Sequence, residues 1–300
     1  MTERSHRDVL KAVRRIEIAT RRAVNAELAG RYHSVFKGQG MAFSEVRPYY
    51  PGDDVRHIDW NVSARHQDQG LFVKQFIEER ELTVMLLVDM SGSGSFGTRG
   101  QRKRQVLAQL GAMLAFSAIK NNDRVGLILF TDKVELFLPP RKGKKHVLRS
   151  IREIVEFEPQ RRGTNISEAL AYLSRVMKRK AVCFVLSDWL DHHWSKPLQL
   201  AMHRHDVVAM RVADHAELEL PDLGLLELED SETGEIHLID SSSRIVRDAY
   251  NSKQRKRREQ TKRTLRQLGC DLVDVYTDSD YVSPLIHFFR TRSARLRGGK

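Results

Sequence analysis

Apolar positions change their spacing several times along the chain, and each change marks an element. Residues 6–29 set Val9, Val13, Ile16, Ala19 and Val24 at helical intervals among basic side chains, with Gly30 as a stop. That pattern predicts an amphipathic N-terminal helix. GRYHSVFKGQGMAF follows, punctuated by glycine, and reads as extended; LFVKQF then alternates as a short strand. LTVMLLVDM at 82–90 is apolar almost without interruption and ends in an acid. Such a run is buried on both faces, as in a central strand of a parallel sheet.

From there strands and helices alternate. A helix is predicted over 101–120 and a strand over 124–132. The strand at 134–140 returns antiparallel through the Thr131-Asp132-Lys133 turn. Helices are expected at 144–157 and 165–179, a second acid-ended apolar strand at 181–189, a helix at 195–204 and a third parallel strand at 206–214. This succession predicts an α/β fold with a doubly wound, mostly parallel sheet. Residues 224–240 read as a β-hairpin with its turn near 231–234. A basic helix at 243–268, a last strand at 271–280 and a helix at 283–293 close the chain, and LRGGK is expected to fray. The predicted organisation is an arm over 1–80, helical then extended and packed on the core, and an α/β domain over 81–293 with a hairpin insertion at about 222–242.

Composition narrows the class. An apolar fraction of 41% suits a packed core and excludes a disordered chain. No apolar run reaches the roughly 18 residues a membrane helix needs. Residues 1–24 lack the apolar stretch of a secretory signal, and Glu3, Asp8, Glu17 and Glu27 argue against a transit peptide, so the cytoplasm is the expected location. Cys183 and Cys270 sit in apolar strand-like runs without CxxC spacing, which predicts buried thiols and no cysteine-built zinc site. Lys and Arg number 51 against 39 Asp and Glu, a net charge of +12 that favours anionic partners. The basic stretch 253–263 has no interleaved aromatics and is interrupted by Glu259, so nucleic acid is disfavoured and a solvated face or an acidic protein partner preferred. His192, His193, His203 and His205 lack the spacing of a helical zinc pair and are expected to be solvated or locally bonded.

Three separated pieces can carry chemistry. Asp89-Met-Ser91-Gly-Ser93 follows the most apolar strand, Gly163-Thr164-Asn165 opens a helix, and Ser187-Asp188 ends another apolar strand. In a doubly wound sheet all three converge beyond the carboxyl ends of the strands. Hydroxyl and carboxylate oxygens suit a hard cation, Mg²⁺ or Mn²⁺. Neutral hydroxyl ligands leave the ion electrophilic, ready for a carboxylate from outside. The alternative is that these residues only cap helices and form turns. Catalysis finds little support: the second acid of an aspartyl-phosphate enzyme is replaced by Ser91, and neither a nucleophile elbow nor a phosphate-binding loop is present.

Asp89, Ser91, Ser93, Thr164 and Asp188, in this strand–helix order, resemble the metal-ion-dependent adhesion site of von Willebrand factor A domains. The segment RPYYPGDDVRHIDW, with Ala64-Arg65 and Glu78-Glu79-Arg80 after it, resembles the bacterial domain-of-unknown-function-58 family. The match runs through Arg47, Tyr49, Pro51, Gly52, Asp53, Asp54, Arg56, Ile58, Asp59 and Trp60. The resemblance implies a von Willebrand factor A-like fold and, since members are encoded beside MoxR-type AAA+ ATPases, an adaptor that docks such an ATPase or another protein offering an Asp or Glu carboxylate. Two alternatives stay open: a basic scaffold for an anionic polymer or membrane surface, and a metal-dependent phosphohydrolase. In the Pro-Gly-Asp-Asp segment, Asp53, Asp54, Arg56 and Asp59 either pair locally while Trp60 anchors on the sheet, or form a second partner-binding surface.

Overall fold

The computed structural model describes residues 6–24, 30–32, 35–36, 42–65, 70–77, 81–97 and 101–298. In chain order the first elements are α1 (His6–Ala23), β1 (Ala42–Pro48), α2 (Trp60–Arg65) and β2 (Phe72–Ile77). Then come β3 (Thr83–Asp89), α3 (Lys103–Lys120), β4 (Arg124–Phe130), β5 (Val134–Arg141), α4 (Lys144–Glu156) and α5 (Ile166–Val176). They are followed by β6 (Val182–Ser187), α6 (Ser195–Arg204), β7 (Asp206–Ala213) and α7 (His215–Leu218). The chain ends in β8 (Leu225–Glu229), β9 (Ile236–Asp240), α8 (Arg244–Gln267), β10 (Asp271–Tyr276) and α9 (Val282–Gly298). Two compact units result, Met1–Val35 with Thr83–Lys300, and Phe36–Leu82.

The larger unit is built on a six-stranded sheet in the order β10-β7-β6-β3-β4-β5. All neighbours are parallel except β5, which returns antiparallel on β4. The fold is thus α/β and doubly wound. Continuous apolar sequence explains the centre: Val84 through Val88 and Cys183 through Leu186 are fully buried. A large aliphatic side chain buried there contributes roughly 1.5–3 kcal/mol. Helix α3 is buried almost all round through Val106, Leu107, Leu110, Met113 and Leu114, and Gly111 lets Leu86 and Ile154 approach its backbone. From β3 the chain first moves to β4 and β5, then crosses back to β6 on the other side. The carboxyl ends of β3 and β6 therefore flank the reversal point where such sheets form their crevice.

Several boundaries differ from the sequence reading, among them the last strand, expected at 271–280 and ending at Tyr276. α1 stops at Ala23, short of Gly30; residues 25–29 lie outside the described set, and Gly30 through Tyr32 are helical, not extended. Tyr32 is fully buried and meets Phe289 edge-on at 6.0 Å, a contact that helical spacing alone does not announce. α9 runs on to Gly298, past the expected end at 293. In that extra turn Arg295 lies 2.6 Å from Asp271, and just before it Arg292 reaches Asp206 and Asp271.

In the smaller unit β1 and β2 pair antiparallel, with Arg47 opposite Val73. The Pro-Gly-Asp-Asp turn is closed by Arg47, whose two terminal nitrogens donate to the two Asp53 oxygens at 2.8 and 2.7 Å. Asp54 binds the Arg56 backbone and guanidinium, and Asp59 caps α2 through the amides of Asn61 and Val62. All four charged residues thus have local partners, and Trp60 is not buried as an anchor. It is 66% exposed, as the first residue of a helix of only six.

Candidate functional site

The site is assembled at the reversal point, wholly within the larger unit. Asp89 ends β3 and Ser187 ends β6, and the Ser187 hydroxyl donates to Asp89 Oδ2 at 2.6 Å across that boundary. Asp89 Oδ1 accepts the Ser91 amide at 2.9 Å. That bond bends the chain out of the strand into a short 3₁₀ turn over Gly92–Ser95. Within the turn Ser91 Oγ and Ser93 Oγ lie 3.1 Å apart. Asp188 accepts the Leu190 amide at 3.1 Å and a hydrogen bond from Ser93. Four of the five expected residues, Asp89, Ser91, Ser93 and Asp188, thus form one hydrogen-bonded group.

The fifth, Thr164, stands at the mouth of α5. Asn165 caps that helix by accepting the Glu168 amide at 3.0 Å, and Asp191 accepts the Ile166 amide at 2.8 Å. The Gly92 amide donates to Arg162 O at 2.8 Å, which ties the Thr164 loop to the serine turn. Thr164 Oγ1 donates to Glu232 Oε1 at 2.8 Å, on the turn of the β8–β9 hairpin. Asp188 is held by its own strained loop: buried Trp189 adopts φ +59, a left-handed conformation rarely taken by a bulky residue. Its amide N–H donates to Ser187 Oγ at 3.1 Å, and its ring packs edge-on against Trp194 at 5.1 Å.

Three charged residues of the site, Lys103, Glu217 and Glu232, lay outside the sequence reading. Lys103, at the start of α3, is 2% exposed. Its ammonium lies 3.2 Å from Asp188 Oδ2 and also pairs with Glu217 of α7. Burial alone would lower the lysine and raise the aspartate, but their mutual attraction wins: Lys103 is held above its usual range and Asp188 below. Asp89 is pushed the other way, by burial first and then by the negative charge of Asp188. Glu232 is also raised, by partial desolvation and by Asp188, Asp230 and Asp191. Lys103 was legible after all, since it shares a helical stripe with Val106, Leu107 and Leu110 and so must point inward.

Among the described residues no group of three or more His, Cys, Asp or Glu side chains is arranged to hold a metal ion. The oxygens that fit a cation are the hydroxyls. Adjacent ligands on Mg²⁺ at about 2.1 Å lie about 3 Å apart, and the Ser91–Ser93 pair has that spacing. The two aspartates already bind donors of their own chain, which suits them to orienting the hydroxyls. The expected histidine behaviour needs one correction: His205 is buried and held below its usual range by desolvation, not solvated. Basic residues of α8 turn toward their own chain. Arg258 lies 3.6 Å from Asp274 and 5.0 Å over the Tyr276 ring, Arg255 meets Glu219 at 3.3 Å, and Arg257 binds Leu190 O. No helix among the described residues is long and apolar enough to cross a membrane.

The uncharacterized protein Rv1480 of Mycobacterium tuberculosis is 32% identical over 285 residues, covering 94% of this chain and 89% of that one. The uncharacterized protein YeaD of Bacillus subtilis is 28% identical over 111 residues, covering 37% of this chain and 25% of that one. Among solved structures, the conserved hypothetical protein BatB of Bacteroides thetaiotaomicron is similar with a TM-score of 0.44 at 16% identity, covering 71% and 99% of the two chains. The SpRpn10 VWA domain is similar with a TM-score of 0.38 at 14% identity, covering 69% and 94%. The sequence matches, over residues 45–260, the family described as Protein of unknown function DUF58, and the chain belongs to that family.

Proposed function

We propose that this chain is a protein-interaction module of the cytoplasm that docks a partner carboxylate through a divalent cation, Mg²⁺ or Mn²⁺. Ser91, Ser93 and Thr164 would hold the ion, and Asp89 and Asp188 would orient the hydroxyls. The observation that carries this reading is the Ser91–Ser93 hydroxyl pair, 3.1 Å apart and backed by two buried carboxylates at the sheet's reversal point. When bound, the cation would supply an electrophilic position, because hydroxyl ligands do not neutralise it. The reading is one of binding, not catalysis: Asp89 and Asp188 are each committed to hydrogen bonds within the chain. The family resemblance makes a MoxR-type AAA+ ATPase the partner of choice. The pairing of Arg255, Arg257 and Arg258 with their own chain weighs against a basic scaffold for anionic polymers. Calorimetric titration of Mg²⁺ and of Mn²⁺ tests the cation. One site in the wild type and none in the Ser91→Ala, Ser93→Ala double variant is expected; equal isotherms would overturn the reading.

A further inference from the structure

The hairpin of β8 and β9 sets a carboxylate of this same chain on the candidate cation site. Its turn is rigid: Asp230 Oδ1 accepts the amides of Glu232 and Thr233 at 2.8 and 3.1 Å, and the Gly234 amide returns to Asp230 O at 2.7 Å. The turn lies directly on the serine motif. A Cβ at Gly92 would fall 2.0 Å from Ser231 O and 2.9 Å from Ser231 C, so the glycine between Ser91 and Ser93 is where hairpin backbone meets site backbone. Arg162, whose carbonyl binds the Gly92 amide, lies 3.4 Å from Glu229 at the hairpin base. Within this frame Glu232 Oε1 reaches Thr164 Oγ1 at 2.8 Å, although 68 residues separate them.

Acids flank Glu232 along the hairpin, at Glu229, Asp230 and Glu235, and Arg162 is paired with Glu229. Lys103, buried at the site, is paired with Asp188 and Glu217. A divalent ion on the Thr164 hydroxyl would place a positive charge beside the carboxylate that this hydroxyl already holds. The hydroxyls of Ser91, Ser93 and Thr164 carry no charge, so one carboxylate is also what this ligand set lacks.

We propose that Glu232 is the chain's own carboxylate ligand to the cation held by Ser91, Ser93 and Thr164, and that the hairpin thereby occupies the position a partner carboxylate takes. This rests on the cation reading given above. A tethered ligand acts at millimolar effective concentration. An outside Asp or Glu must therefore displace Glu232, and the hairpin becomes a gate that only a well-placed partner opens.

Mn²⁺ alone is the probe, followed by electron paramagnetic resonance, with the water molecules left on the ion counted from its coupling to isotopically labelled water. The variants are Glu232→Gln, Glu232→Ala and Ser91→Ala. Both Glu232 variants should bind Mn²⁺ roughly tenfold more weakly and leave one more water on the ion than the wild type does. Ser91→Ala should bind it far more weakly still. Hydrogen exchange at 225–240 should slow on adding Mn²⁺ to the wild type and not to Glu232→Gln. If the Glu232 variants match the wild type in affinity and in water count while Ser91→Ala fails to bind, the gate is overturned and the cation site stands. If the wild type binds no Mn²⁺, or Ser91→Ala binds as well as it does, both readings fall together. Glu232 is solvent-exposed and off the core, so its replacement leaves the melting transition in place as a folding control.

Discussion

Replacing Lys103 by Met removes a buried ammonium while keeping most of its aliphatic stem. The wild-type ammonium lies between Asp188, 6% exposed at its side chain, and Glu217, 23% exposed. Removing one partner of a buried pair costs about 3–5 kcal/mol, because the other charge is left stranded. Water can still reach Glu217, and Asp188 keeps the Leu190 amide and Ser93. The lower end, about 3 kcal/mol, is therefore expected. For a unit of this size that lowers the melting temperature by roughly 6–12 °C. The assay is urea and thermal denaturation in chelator, with Asp188→Asn and the double variant closing a mutant cycle. The double variant should regain part of the loss, since Asp188 then carries no stranded charge and Glu217 is reached by water. A Lys103→Met protein within about 1 kcal/mol of the wild type would refute the argument, by showing that the pair is solvated in solution.

Other consequences concern separate parts of the chain. Hydrogen bonds from Arg47 hold Asp53 down to about 2. The stability it lends is present above its unfolded value near 3.9 and is lost as pH falls through about 2. Carboxyl NMR should place its midpoint there; a midpoint near the ordinary value would contradict the geometry. Burial pushes the Cys183 thiol up and Cys270 to about 12. Both should therefore label with a disulfide reagent at pH 8 only as fast as the protein opens, and rapid labelling would contradict their burial. Gly92→Ala should lever the hairpin off the serine turn, read as faster proteolysis within 230–234, whereas unchanged cleavage would show that the close approach to Ser231 is not maintained.

Much of this fold is written in spacing. The acid-ended apolar runs gave β3 and β6, and their two acids mark the place where the sheet reverses. Asp89, Ser91, Ser93 and Asp188 were legible because ligand-type residues followed such runs directly. The misses have a common cause, in that local pattern does not report long-range charge. Lys103 sits among Arg102 and Arg104, and a run of basic residues reads as solvated until the helical phase is followed to Val106, Leu107 and Leu110. Glu232 and Glu217 lie far along the chain in segments whose acids look like ordinary surface. Trp60 was expected to pack because it is large and apolar, but its place at the start of a six-residue helix leaves it facing solvent.

The central claim is that a cation makes the docking contact. It is tested most directly by capturing a MoxR-type AAA+ ATPase from the same genome on immobilised chain, in Mg²⁺, in EDTA, and with Asp89→Ala in place of the wild type. The account predicts capture in Mg²⁺ that is lost both in EDTA and in the variant. Capture that persists in EDTA and in Asp89→Ala, and weakens only with salt, would contradict it and assign the contact to the basic surface.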